Sequence, residues 1–133
     1  MRSPSKPILR LFLLSTIFLL QLHPASAGSA TWNLNPTTGN WNTAANWTPA
    51  TIPNGPANVA TFDVSNTTNV SLTGSVVVDQ IVFDSSASAF TITTPASNRS
   101  LTISGTGIVN NSGIAQNLVV AEASTLIFSN NAT

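Results

Sequence analysis

Val76-Val77-Val78, Ile81-Val82-Phe83, Phe90-Thr91-Ile92, Leu101-Thr102-Ile103, Leu118-Val119-Val120 and Leu126-Ile127-Phe128 are six short runs of aliphatic, β-branched and aromatic residues. Clusters of Gly, Asn, Ser and Thr separate them. Branched and aromatic side chains fit a pleated, half-buried surface, and the polar clusters with glycine suit turns, so the runs read as strands. Apolar positions recur nowhere at sustained helical spacing. Residues i and i+2 of a strand point the same way. The predicted core is therefore Ile81 with Phe83, Phe90 with Ile92, Leu101 with Ile103, and Leu126 with Phe128.

The spacing of the runs suggests how the strands are arranged. Phe90, Ile108 and Leu126 follow one another at intervals of 18, and Ile81, Leu101 and Leu118 at intervals of 20 and 17. A recurrence of this length holding two or three short strands is too short for a propeller blade and lacks the helices and leucine consensus of other repeats. It suits one coil of a parallel β-helix (β-solenoid), whose equivalent residues stack at about 4.8 Å. The two series are expected to form two columns. Gly105-Thr106-Gly107 and Asn110-Asn111-Ser112-Gly113 carry residues that tolerate positive φ and are expected at coil corners. A jelly-roll sandwich would use similar strands but has no reason to repeat at one coil length.

Residues 28–60 differ in composition. They hold Trp32, Trp41 and Trp47, all the tryptophan of the chain, with Pro36, Pro49, Pro53 and Pro56. Proline at this density argues against a long helix or a central strand, so a turn-rich cap with short strands is expected here, followed by β-solenoid coils over residues 61–133. Ser129-Asn130-Asn131-Ala132-Thr133 follows an apolar strand without a terminating feature, and continuation beyond Thr133 is expected.

The first 27 residues form a separate unit. Arg2, Lys6 and Arg10 precede the apolar run Leu11–Leu20, and Ala25-Ser26-Ala27 precedes Gly28. Basic n-region, apolar h-region and small-x-small site are the parts of a secretory signal peptide. The run is short of the roughly 18 residues that cross a bilayer, so it does not read as an anchor, and no membrane span is expected in the mature chain. Past the leader, Arg99 stands alone against Asp63, Asp79, Asp84 and Glu122, one positive charge against four negative, for a net −3. Phosphate binding needs clustered Lys and Arg, which excludes nucleic acid as a partner. Cysteine is absent from an exported chain, so apolar packing and backbone hydrogen bonds must hold the fold.

Two stretches resemble a known group of proteins. Residues 39–62, with Gly39-Asn40-Trp41-Asn42, Asn46-Trp47-Thr48-Pro49, Ile52-Pro53-Asn54 and Val59-Ala60-Thr61-Phe62, resemble the opening segment of large exported bacterial proteins with autotransporter-type passenger regions. Residues 101–133, from Leu101-Thr102-Ile103-Ser104-Gly105 to Leu126-Ile127-Phe128-Ser129-Asn130-Asn131-Ala132, resemble the autotransporter-associated β-strand repeat. The resemblance covers about half of the mature chain and implies a right-handed parallel β-helix displayed at or beyond the outer membrane. Neither the translocating barrel nor the sorting signal common in that group occurs in this sequence.

Candidate chemistry is sparse, and no enzyme activity and no cofactor are expected. Asp79 and Asp84 are the acidic residues nearest in sequence; two carboxylates can cleave glycosides if they converge, but an odd separation puts them on opposite faces of a regular strand. Polar residues at strand ends are the ordinary reading. His23 leaves with the signal, so the mature chain has neither His nor Cys to serve a nucleophilic triad, and the calcium-binding nonapeptide of some β-solenoids does not occur, so no metal is expected. Trp41 and Trp47 are the candidate binding residues, since aromatic faces beside Asn can stack on sugars; alternatively they plug the first coil of the solenoid. Asn-x-Ser/Thr sequons begin at Asn46, Asn66, Asn69, Asn98, Asn110 and Asn131 and are expected by chance in a chain this rich in Asn, Ser and Thr.

The expected whole is an all-β passenger-type protein, secreted or at the bacterial cell surface, acting as a structural or adhesive scaffold for polysaccharide or other cell-surface ligands. The alternatives are a carbohydrate-binding module using Trp41 and Trp47, or the N-terminal part of a β-helix enzyme that degrades polysaccharide.

Overall fold

The computed structural model describes residues 28–129. The expected leader of residues 1–27 with His23, and the Asn131 sequon, lie outside the described residues. The described chain is all-β: β1 (Ala30–Trp32), β2 (Trp47–Thr48), β3 (Gly55–Phe62), β4 (Asn69–Ser71), β5 (Val76–Phe83), β6 (Thr91–Thr94), β7 (Ser100–Asn110), β8 (Asn117–Val120) and β9 (Thr125–Phe128), with one 3-10 turn at Ala44–Asn46. One sheet has the order β2-β1-β3-β5-β7-β9 and the other β4-β6-β8. From β3 onward the chain passes alternately between the sheets, and every neighbouring pair it makes is parallel. Inward side chains of both sheets share one buried cluster.

Inward and outward residues alternate in each half of β5, where Val76, Val78, Ile81 and Phe83 are buried and Val77 and Val82 are half-buried. The phase changes at Asp79-Gln80 because both neighbours bulge there. Asp79 alone faces three residues of β3, between the Gly55–Val78 and Val59–Gln80 pairs. It likewise faces three residues of β7, between the Val78–Ile103 and Gln80–Gly107 pairs. The Ser104 hydroxyl reaches across to the carbonyls of Val78 at 3.0 Å and Pro56 at 3.3 Å. Pro56 thus occupies a central strand, contrary to the expectation from proline density; at a bulge its missing N–H breaks no rung of the ladder. Gly105-Thr106-Gly107 also lies inside β7 and not at a corner. A Cβ at Gly105 would fall on the Asp79 carboxylate, and Gly107 has φ of 109°. Asn110-Asn111-Ser112-Gly113 does open a turn, with Gly113 at φ 70°.

The two expected columns do not exist. Phe90 precedes β6 beside the second sheet, Ile108 pairs with Ile81, and Leu126 pairs with Leu101, so Phe90, Ile108 and Leu126 occupy three separate places. Ile81, Leu101 and Leu118 are likewise separated, Leu118 pairing with Ile92. The stacked sets are Val76–Leu101–Leu126 and Val78–Ile103–Phe128 at intervals of 25. Ala60–Ile81–Ile108 follows at 21 and 27, and Val70–Ile92–Leu118 at 22 and 26. Each round trip contains three inward runs, two along the bulged long strand and one in the other sheet. Similar side chains in different runs produced the shorter false interval.

Six of the eight predicted core residues, Ile81, Phe83, Phe90, Ile92, Leu101 and Ile103, are no more than 1% exposed. Leu126 packs against this core from its edge, and Phe128 is 46% exposed. Where the chain turns between sheets, polar side chains tie successive passes. Ser65 Oγ bonds the Asn33 carbonyl, Ser88 Oγ accepts from Ser65 N, and Gln116 donates to the Ser88 carbonyl while accepting from Phe90 N.

Candidate functional site

Trp41 and Trp47, the sequence candidates for ligand stacking, sit inside the first pass of the chain with Trp32. β1 pairs with β3, Asn40 bridges to Ser71 beside the second sheet, and β2 folds back antiparallel on β1. The segment from Ala30 to Thr48 thereby spans both sheets and reverses at the edge. Gly39 is required at the bridge, because a Cβ there would press on the Asn69 carbonyl of the next pass, 2.4 Å away. The three indoles then point inward over Phe62. Trp47 packs edge-on against Trp32 and Trp41 with centroids 5.0 Å apart in both pairs, and Phe62 lies within 6.1 Å of all three. Phe62 continues the stack to Phe83 at 5.3 Å and Phe90 at 4.9 Å.

All three tryptophans are at most 1% exposed, and each indole N–H donates to a backbone carbonyl: Trp32 to Thr67, Trp41 to Pro53 and Trp47 to Trp41. No face of Trp41 or Trp47 is open to a sugar ring in this arrangement. The polar end and the apolar body of each ring are both satisfied internally, as a plug requires.

Asn46, one of the six sequon asparagines, is fully buried and organises this segment. Its Oδ1 accepts from Thr37 Oγ1 and Thr38 N, and its Nδ2 donates to Thr38 Oγ1 and to the Asn40 carbonyl. Its backbone carbonyl accepts from Asn33 N. Sequence reading missed this role; the available signal was an Asn set between two buried tryptophans. The sequon asparagines 66, 69, 98 and 110 are exposed.

The carboxylates are arranged differently from the sequence pairing. Asp79 sits at the double bulge, where Thr106 Oγ1 donates to it at 3.2 Å. Asp84 lies five residues on, past the end of β5, about 16 Å away at extended-strand rise. That exceeds the separation of two cooperating glycosidase carboxylates. The register instead sets Asp84 beside Asp63, because Phe62 pairs with Phe83 and Asp84 N donates to the Phe62 carbonyl. The Ser86 hydroxyl, and after it the Val64 N–H, hold the Asp63 carboxyl below its usual range, against a small opposing effect of burial. Arg99 donates to the Leu72 carbonyl at 3.0 Å. Among the described residues no cavity opens, no group of three potential metal ligands forms, and no helix is long and apolar enough to cross a membrane.

The fold and this aromatic plug define a class: an all-β protein of parallel strands in two sheets, closed at one end by a tryptophan-rich segment. Comparison with protein-family models, with curated proteins and with solved structures found no match.

Proposed function

We propose that this chain is an exported, passenger-type parallel β-helix, secreted or displayed at the bacterial cell surface, whose work is structural or adhesive and not catalytic. The observation that carries this reading is the strand order: from β3 onward consecutive strands alternate between two sheets, and each sheet adds strands parallel and in sequence. A parallel ladder whose neighbours are one round trip apart gains length without gaining a pocket. The leader of residues 1–27 supports export, and the resemblance of residues 39–62 and 101–133 to autotransporter passengers supports the setting.

Outward positions support an adhesive role. The second sheet presents Asn69 and Ser71, Thr91 and Thr93, and Asn117 and Val119 on successive strands, an uncharged and hydroxyl-rich face. Contacts to such a face are individually weak and gain strength by repetition, which suits polysaccharide or other cell-surface ligands. Fractionation of the native host tests the reading. Recovery from the cell surface or medium, with residues 1–27 removed, is expected; retention in the cytoplasm with the leader intact would overturn it.

A further inference from the structure

Of the fifteen asparagines in the chain, Asn54 alone precedes glycine. It is exposed and joins the aromatic plug to the first sheet. The Pro53 carbonyl before it accepts the Trp41 indole N–H at 3.0 Å, and Gly55 after it opens β3 and pairs with Val78. Asn54 Oδ1 accepts from the Val77 N–H at 3.0 Å. Asn58, with Oδ1 turned toward Gly55 N, accepts from it at 3.2 Å. A Cβ at position 55 would stand 2.9 Å from the Asn58 amide, so glycine is what leaves the nitrogen of residue 55 uncrowded.

We propose that Asn54 is a self-modification site, at which the chain converts its own carboxamide to a carboxylate. The Gly55 nitrogen gives its proton to hydroxide and attacks Asn54 Cγ, closing a succinimide ring. Nδ2 takes a proton from water and leaves as ammonia. Water then opens the ring at either carbonyl. Addition at Cγ breaks the new bond to Gly55 N and gives aspartate; addition at the Asn54 main-chain carbonyl breaks its bond to Gly55 N and gives isoaspartate. One water is consumed overall, one ammonia is released, and nothing is oxidised or reduced. The reacting atoms belong to adjacent residues, so no bound partner is needed. The Val77 N–H is aimed at the oxygen on which negative charge develops. After every other asparagine the following nitrogen carries a side chain on its residue, and after Asn35 it belongs to Pro36 and has no proton to lose. The two products act oppositely on the plug. Aspartate keeps the acceptor for Val77 N–H and charges it, which strengthens the bond. Isoaspartate routes the main chain through Cβ and lengthens the link between Pro53 and Gly55, setting the Trp41 anchor against the β3 register.

The purified exported chain, held in warm, mildly alkaline buffer and sampled over time, is mapped by peptic digestion and mass spectrometry. Conversion at Asn54 is expected to be about tenfold faster than at Asn111, whose successor Ser112 has a small side chain, and to rise in proportion to hydroxide. The folded chain should convert within about tenfold of the rate of the same chain in denaturant, because the Val77 N–H assists the step that folding restrains. Isoaspartate-specific methylation should label the aged chain, and Asn54→Gln, which must close a larger ring, should remove the label. Asn54→Asp should melt no lower than the parent, and the isoaspartate fraction should melt lower, with its tryptophan emission shifted to the red. No conversion at Asn54 in the folded chain, equal conversion at Asn111, or a label that survives in Asn54→Gln would overturn the inference. Should Asn54→Gln not fold, the peptide map of the unaltered chain decides alone. The result is independent of the export reading, which fractionation tests separately.

Discussion

At the scale of single residues, the sharpest dependence is on the aromatic plug. Trp47 touches Trp32, Trp41 and Phe62 and gives its N–H to the Trp41 carbonyl. Trp47→Ala removes this packing and leaves a cavity, so unfolding by denaturant should show a loss of about 3–5 kcal/mol, with no selective effect on ligand retention. Asn46→Asp keeps the shape but loses both Nδ2 donations and buries a carboxylate. Burial favours the neutral acid, raising the folded-state pKa, so the variant should be closest to the parent in acid and lose stability as pH rises past the unfolded value near 3.9. Denaturant midpoints at several pH values check this. Asp63 has the opposite sign: its lowered pKa contributes stability above the unfolded value that is lost as pH falls through the folded one. Its exposure keeps the contribution small. An NMR titration should place Asp63 below the ordinary range, and Ser86→Ala should move it upward. Burial of Ile81, Phe83, Phe90, Ile92, Leu101 and Ile103 was legible from i, i+2 alternation alone. The partnership of Asp63 with Asp84 was not, since it depends on a register that links residues 21 apart.

At the scale of elements, β5 is the best supported strand, flanked on both sides by long parallel neighbours, and β8 and β9 are the most exposed. Amide exchange should be slowest in β5 and the adjoining parts of β3 and β7, and fastest in β8 and β9. Uniform protection across all strands would contradict this gradient. Gly39→Ala sets a methyl group against the Asn69 backbone, which cannot turn aside as a side chain can. It should cost at least about 1 kcal/mol, read as a lowered melting temperature, with the loss of protection centred on Trp41 and Ser71. The strands were readable as elements because their composition and turn residues agree. Their stacking order was not, because β3 and β7 each carry extra residues opposite Asp79, which lengthens some round trips and shortens none of the runs. A bulge leaves no periodic trace: Pro56 and Gly105 look like breakers or corners in sequence and turn out to lie within strands.

At the scale of the whole molecule, closure at one end substitutes for the disulfides that the chain does not have. Deleting residues 28–54 would bare the outer edge of β3 and the ring of Phe62, and the shortened chain should aggregate on refolding at concentrations where the parent stays clear, as light scattering would register. What composition disclosed was the need for such a closure, through three tryptophans and four prolines crowded into residues 28–60. What it could not disclose was that Asn46 holds the plug in place, since a buried amide looks like any other in a chain full of them. One further property follows from the direction of the ladders. In both sheets the backbone hydrogen bonds run from one pass to the next, and strands lie across that direction. A pull applied between Gly28 and Ser129 would therefore strain the outermost rungs first, as a zipper opens, instead of loading many rungs side by side in shear. The protein should yield under modest force in steps of one round trip, starting from β9, and the tryptophan plug should be the last part to give way.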